Sequence, residues 1–223
     1  MLKRISLSLL TALFIAGTFS LTTQAQDFEG VIHFEIPEMA EQGMGEMPYM
    51  VKGNKGRMEI NHMGQKNAML MLPDESKMVM IIEKMQGYIE MDTNKETSKS
   101  DLEETPDTEM TNTGQTKTIA GRTCEVWRME SEDGTFETCM ANGMGTFMMP
   151  QNKMQKNQAP EWAKTFAEKG AMPLEIVEIQ NGSKSIKMKA TKIEEKSLSD
   201  DLFKIPEGYR DMSGMMRGMQ NRN

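Results

Sequence analysis

The feature that most restricts the fold is a succession of short runs with a hydrophobic period of two, each cut by turn-forming residues. Phe28 to Ile36 sets the pattern, with Ile32, Phe34 and Ile36 on one side and His33 and Glu35 on the other. The clearest case comes late. Leu174 to Gln180 and Ser185 to Ile193 flank Asn181-Gly182, a dipeptide that favours a tight hairpin because both residues tolerate positive φ. Pro48 to Lys52 and Arg57 to Met63 flank Gly53-Asn-Lys-Gly56, and Ala68 to Leu72 and Met78 to Ile82 flank Pro73-Asp-Glu-Ser76. Gly87 to Met91, Lys117 to Ala120, Thr123 to Met129 and Thr135 to Met140 read as further strands. Strands joined in order by short turns predict an antiparallel, mainly β domain of the α+β kind.

One short helix is expected over Pro160 to Lys169, with Pro at its start and Gly170 just beyond its end. Trp162 and Phe166, four residues apart, should pin it to the sheet. Residues 92–116 are almost wholly polar, with Leu102 and Met110 as the large apolar groups, and read as a mobile loop. Their carboxylates lack calcium-loop spacing. Residues 37–50 and 141–158 read as loops able to act as lids. Leu198 to Phe203 and Ile205 to Tyr209 precede a Met-rich, flexible tail over 210–223. One domain, 26–209, accounts for the rest, without a 20–50-residue repeat.

The start of the chain looks like a targeting segment. Met1-Leu-Lys-Arg is positive, Ile5 to Leu21 is apolar and uncharged, and Thr23 and Ala25 occupy the positions a signal peptidase reads. Residues 1–25 therefore read as a cleavable signal peptide, an uncleaved anchor being the competing reading. With no Cys near the cleavage point, lipid attachment is not expected. The mature chain is expected to be exported, to the periplasm or beyond, without a transmembrane segment. Loss of Lys3 and Arg4 with the leader takes the net charge from −7 to −9. An acidic chain without a basic stripe is poorly suited to nucleic acid or to anionic head groups.

Two cysteines in an exported chain read first as one disulfide, Cys124 to Cys139. They flank Ser131-Glu-Asp-Gly134. A four-residue loop over Glu130 to Asp133 sets Cys124 opposite Cys139 and Trp127 opposite Phe136. A two-residue Asp-Gly turn sets Cys139 opposite Arg128, too far for a bridge without a bulge. The alternative is a thiol pair binding metal, but there is no CxxC and both histidines lie far away in sequence.

The segments Lys117-Thr-Ile-Ala-Gly-Arg-Thr-Cys124-Glu-Val-Trp127, Leu174-Glu-Ile and Asp201-Leu-Phe-Lys-Ile-Pro-Glu-Gly-Tyr209 resemble a bacterial secreted family known as domain of unknown function 4412. The resemblance covers most of the mature chain. It implies a curved antiparallel sheet, a half-barrel with a helix packed across it, similar to periplasmic lipoprotein carriers. It implies no enzymatic activity. This chain departs from the pattern in its methionine content and tail.

Chemistry is sparse. There are two histidines, His33 and His62, both within predicted strands, and no GxSxG, HExxH, P-loop or dinucleotide fingerprint. Carboxylate neighbours such as Glu103-Glu104 are expected by chance among 33 acidic residues. An enzyme is not expected. Methionine stands out instead, with 26 in the chain, all but Met1 beyond the leader, where only six Leu remain. Met58, Met69, Met71, Met78, Met80, Met85, Met91, Met129 and Met188, in or beside strands, read as flexible core filler. Met44, Met47 and Met50, then Met212, Met215, Met216 and Met219, repeat at three-residue spacing near glycine, and Met144, Met148, Met149 and Met154 form a third cluster. Converging thioethers are soft, neutral ligands suited to Cu(I) or Ag(I). The two functional expectations are thus an apolar ligand, lipid-like or a hydrophobic envelope partner, on a methionine-lined concave sheet, and a soft metal held by loop and tail methionines. An oxidant sink that forms methionine sulfoxide is a minor third.

Overall fold

The structure, a computed structural model, describes residues 28–93, 110–131, 134–145, 147, 166 and 168–214. The expected signal peptide lies outside them. So do residues 94–109 of the expected long loop, Trp162 with most of the expected helix, and residues 215–223. The described strands are β1 (Glu29–Glu35), β2 (Met47–Lys52), β3 (Lys55–His62), β4 (Gln65–Leu72), β5 (Lys77–Ile82), β6 (Gly87–Asp92), β7 (Met110–Ile119), β8 (Arg122–Ser131), β9 (Gly134–Ala141), β10 (Met172–Gln180), β11 (Ser183–Glu195) and β12 (Arg210–Asp211). All lie in one sheet, in the order β12-β6-β5-β4-β3-β2-β1-β11-β10-β9-β8-β7. Two meanders, β1 to β6 and β7 to β11, are thus joined where β1 pairs with β11, Ile32 standing opposite Ile193. Every pairing is antiparallel except that of β12 with β6.

Turn chemistry sets much of the register. Met63-Gly64, Ala120-Gly121 and Asn181-Gly182 each have positive φ at both residues, the condition of a type I′ turn that matches the strands' twist. The two connections from β4 through β6 use another device. Pro73–Glu75 and Glu83–Met85 each form a 3-10 turn closed by one left-handed residue, Ser76 (φ 52°) and Gln86 (φ 44°).

The sheet is strongly curved. Arg122 in β8 lies over the Phe28 ring at 5.9 Å and pairs with Glu195 at the end of β11. In a flat sheet, β8 would stand about 19 Å from β1, four strand spacings away. The sheet therefore curls toward the face that carries Phe28 and Arg122. On that concave face Ile32, Phe34, Tyr49, Val51, Ile119, Cys124, Val126, Cys139, Met172 and Leu174 form one buried cluster. The convex face carries a second one, Val31, Ala68, Leu70, Leu72, Val79 and Ile81, closed by Leu198 and Phe203 from the chain after β11. Hydrogen bonds from Lys52 Nζ to the Leu198 carbonyl (2.7 Å) and from Arg57 to the Leu202 carbonyl (3.1 Å) hold that C-terminal strap in place.

Four expectations change. Residues 110–116 are strand, not loop: β7 is polar because it is the last strand of the sheet and exposed on both sides, so burial imposes no apolar alternation. Within 37–50, Pro37–Glu41 forms helix α1 and Met47 onward belongs to β2. The tail begins ordered, since Arg210–Asp211 forms β12 and the Glu90 N–H donates to Ser213 Oγ at 2.9 Å. The cysteine hairpin sets Ser131 opposite Gly134 and Val126 opposite Cys139, a register between the two considered. The bridge therefore runs diagonally, Cys124 to Cys139, with Cα atoms 5.3 Å apart. Phe166, from the expected helix, meets Trp127 edge-on at 4.9 Å. Trp127 alternates with Val126, so this contact lies on the face opposite the disulfide.

Candidate functional site

The loop after β9 fills part of the concave face. Met144 is buried there, and Phe147 wedges between Phe34 and Tyr49 with ring centroids 5.9 and 5.8 Å away. Past β2 the same face continues across β3 to β6, and its side chains change character. The pairing Tyr49↔Met58, Met58↔Met69, Met69↔Met80, Met80↔Ile89 forms one row across the sheet. Two residues along, Gly56↔Met71, Met71↔Met78 and Met78↔Met91 form the next. Six methionines thus share one face of four strands. Met58, Met69, Met78 and Met80 are half-buried, Met91 is 37% exposed and Met71 is buried at 7%.

The opposite face of these strands supplies an internal control. There β4 presents Ala68, Leu70 and Leu72, and β5 presents Val79 and Ile81, all buried beneath the C-terminal strap. A compositional habit would place methionine on both faces. Along Ala68-Met-Leu-Met-Leu72 and Met78-Val-Met80 it follows the strand period and stays on the concave one. As core filler would be, Met71 is buried and Met58 packs against the concave core, whereas Met69, Met78, Met80 and Met91 stay partly exposed. Met85, at 52% exposure, is not core.

Of the spacing-based methionine clusters, that of Met44, Met47 and Met50 is the one wholly within the described residues, and its members are not brought together. Met47 and Met50, three apart on a strand, leave β2 on opposite faces: Met47 is buried beside the concave face, and Met50 packs on the convex cluster. Met44 forms a lone bridge with His62. Met212 reaches the concave face at its β6 edge, where its sulfur lies over Gly87 and would have to move aside for a side chain there. Met215, Met216 and Met219, and Met148, Met149 and Met154, lie outside the described residues.

Neither methionine row contains a carboxylate, ammonium, thiol or imidazole. His62 stands further along the same face of β3, and its Nδ1 is buried without a hydrogen-bond partner. His33 Nδ1 instead meets Glu46 Oε2 at 2.8 Å. A hydrogen bond from Thr191, then the His33 contact, holds the Glu46 carboxyl below its ordinary value despite some desolvation. Among the described residues, no group of three His, Cys, Asp or Glu is placed to hold a metal ion. None of the described helices is long and apolar enough to cross a membrane.

Fold and face define a protein built as one curved, unclosed β-sheet whose concave side is sealed by aromatics at one end and lined with methionine at the other. The chain belongs to the family described as domain of unknown function DUF4412, whose model matches residues 28–209. A search of curated proteins returns no match. Among solved structures, an uncharacterised conserved protein from Thermus thermophilus is similar at 10% identity and TM-score 0.44, over 83% of this chain and 88% of that one. A structure of PNGF-II is similar at 13% identity and TM-score 0.46, over 86% of this chain but 32% of that one.

Proposed function

We propose that this is an exported, non-catalytic binding protein that holds an apolar ligand, a lipid-like chain or a hydrophobic segment of an envelope partner, on the concave face of β3 to β6. The observation that carries it is the confinement of methionine to that face while the convex face of the same strands uses Leu, Val and Ile. Unbranched, polarisable thioether side chains re-pack around ligands of differing shape, which branched aliphatics do less well. The rows offer no acid, base or nucleophile, so the face is equipped to bind rather than to turn over a substrate. The leader-like start of the chain and the disulfide support export.

The test is titration of the full mature chain with an uncharged fluorescent probe, N-phenyl-1-naphthylamine, alongside native mass spectrometry of protein from the exported fraction. Met69→Glu with Met80→Glu should weaken the probe at least tenfold while the fold persists. Co-purified masses spaced by acyl-chain increments would identify a lipid. Probe binding that survives both charges refutes the site.

A further inference from the structure

The four central thioethers of the concave face form a closed set. Met69 stands opposite Met80 and Met71 opposite Met78, on neighbouring strands and two residues apart. Directly opposed Cβ atoms in a sheet lie about 5 Å apart and diagonal neighbours about 7–8 Å apart. Each sulfur sits two bonds beyond Cβ on an unbranched stem with several rotamers, so four sulfurs can close on one point above the β4–β5 pair. Met58 and Met91 flank the set on β3 and β6, and partial exposure leaves an entry path.

From this arrangement we infer that Met69, Met71, Met78 and Met80 bind one soft monovalent cation of the Cu(I) or Ag(I) class. Thioether sulfur is neutral and polarisable, and it holds such d10 ions while giving Ca2+, Mg2+ and Zn2+ no hard or anionic donor. The two rows add none, since they contain neither carboxylate nor imidazole, and His62 stands beyond them along β3. The chain's net charge of −7 balances the added positive charge at longer range. Because a thioether releases no proton on binding, uptake is independent of pH between about 5 and 8, unlike any site built on imidazole. The inference does not rest on the apolar-ligand proposal, although both use one face. Metal binding depends on sulfur, whereas apolar binding depends on area and shape.

Leucine substitution separates the two. The mature, disulfide-bonded protein is titrated anaerobically with Cu(I) against a Cu(I)-specific chelator, and with Ag(I) under native mass spectrometry. Wild type should take up one ion with the same affinity at pH 5.5 and 7.5. The quadruple variant Met69→Leu, Met71→Leu, Met78→Leu, Met80→Leu should bind the ion at least 100-fold more weakly, still bind N-phenyl-1-naphthylamine within a few-fold of wild type, and melt near the wild-type temperature. His62→Ala should change nothing. If the quadruple variant does not fold, wild type labelled with 13C at the methionine methyls answers the question. Diamagnetic Ag(I) should shift the resonances of Met69, Met71, Met78 and Met80. No uptake by wild type, unchanged uptake by the quadruple variant, or shifts confined to other methionines would overturn the assignment.

Discussion

The disulfide permits a worked prediction. Cys124 and Cys139 are 15 residues apart, and both side chains, 2% exposed, lie in the concave core with Ile119, Val126 and Ala141. In the chain-entropy account, opening a loop of that length costs about 3 kcal/mol at 25 °C. Replacing both cysteines by alanine also removes two buried sulfurs. Each is comparable to a methylene at about 0.8 kcal/mol, bringing the total to about 4–5 kcal/mol. Reduction leaves the sulfurs in place and should cost only the loop component. With a urea slope of about 2 kcal/mol per molar, reduction lowers the unfolding midpoint by about 1.5 M and the double alanine variant by about 2–2.5 M. Urea titrations followed by tryptophan fluorescence on oxidised, reduced and Cys124→Ala/Cys139→Ala protein measure all three. A reduction cost below about 1 kcal/mol would refute the loop argument and show that the β8–β9 hairpin is already closed in the unfolded chain. Equal costs for reduction and alanine would refute the packing component.

Two further outcomes are expected. Phe203→Ala, emptying a buried site beneath the C-terminal strap, should cost about 3–5 kcal/mol and raise hydrogen exchange at Leu70 and Val79 more than at Val126. Equal protection loss at all three would mean that the strap and the sheet unfold as one unit. For pH, hydrogen bonds from Lys192 and Lys196 lower the Glu194 carboxyl from 4.5 to about 2. A folded value below the unfolded one means that this contribution is complete above about pH 4.5 and fades as pH falls toward 2. Glu194→Gln should therefore lose stability at pH 7 and show a shallower decline in urea midpoint between pH 5 and 2.5. An identical decline in both proteins would place the acid sensitivity elsewhere.

How much of this could be read in advance differs from element to element. The hairpin at Asn181-Gly182 was legible because a type I′ turn requires positive φ at both positions and few dipeptides supply it. Ala120-Gly121 and Met63-Gly64 adopt the same positive-φ pair, with Ala and Met in place of the favoured Asn. β7 was hidden because an edge strand needs no apolar period, and 110–116 is stabilised by ladder bonds to β8 rather than by burial. The cysteine register differs by two residues from that of a four-residue loop, a slip that leaves every side chain on its own face and so leaves the hydrophobic pattern unchanged. Pairing of β1 with β11 joins residues about 160 positions apart and has no local signature.

The methionine face shows what a different weighting of the same letters reveals. Three-residue spacing has meaning for a loop that wraps an ion, but on a strand it sends Met47 and Met50 to opposite faces. Two-residue spacing is the informative one there, and it occurs twice, as Met69-Leu-Met71 and Met78-Val-Met80, on strands joined by one short turn. Equal spacing in two adjacent antiparallel strands brings all four side chains to one face whenever the register matches parity, as it does with Met69 opposite Met80. Filling a core would not distinguish the two faces of β4 and β5, since Leu70, Val79 and Ile81 fill their convex side without a methionine from either strand. The asymmetry therefore calls for a property that leucine lacks, either a shape that adapts or a sulfur that binds. Leucine at all four positions keeps the apolar surface while removing both, so a variant that still binds the apolar probe at full strength but takes up no silver would assign the asymmetry to sulfur.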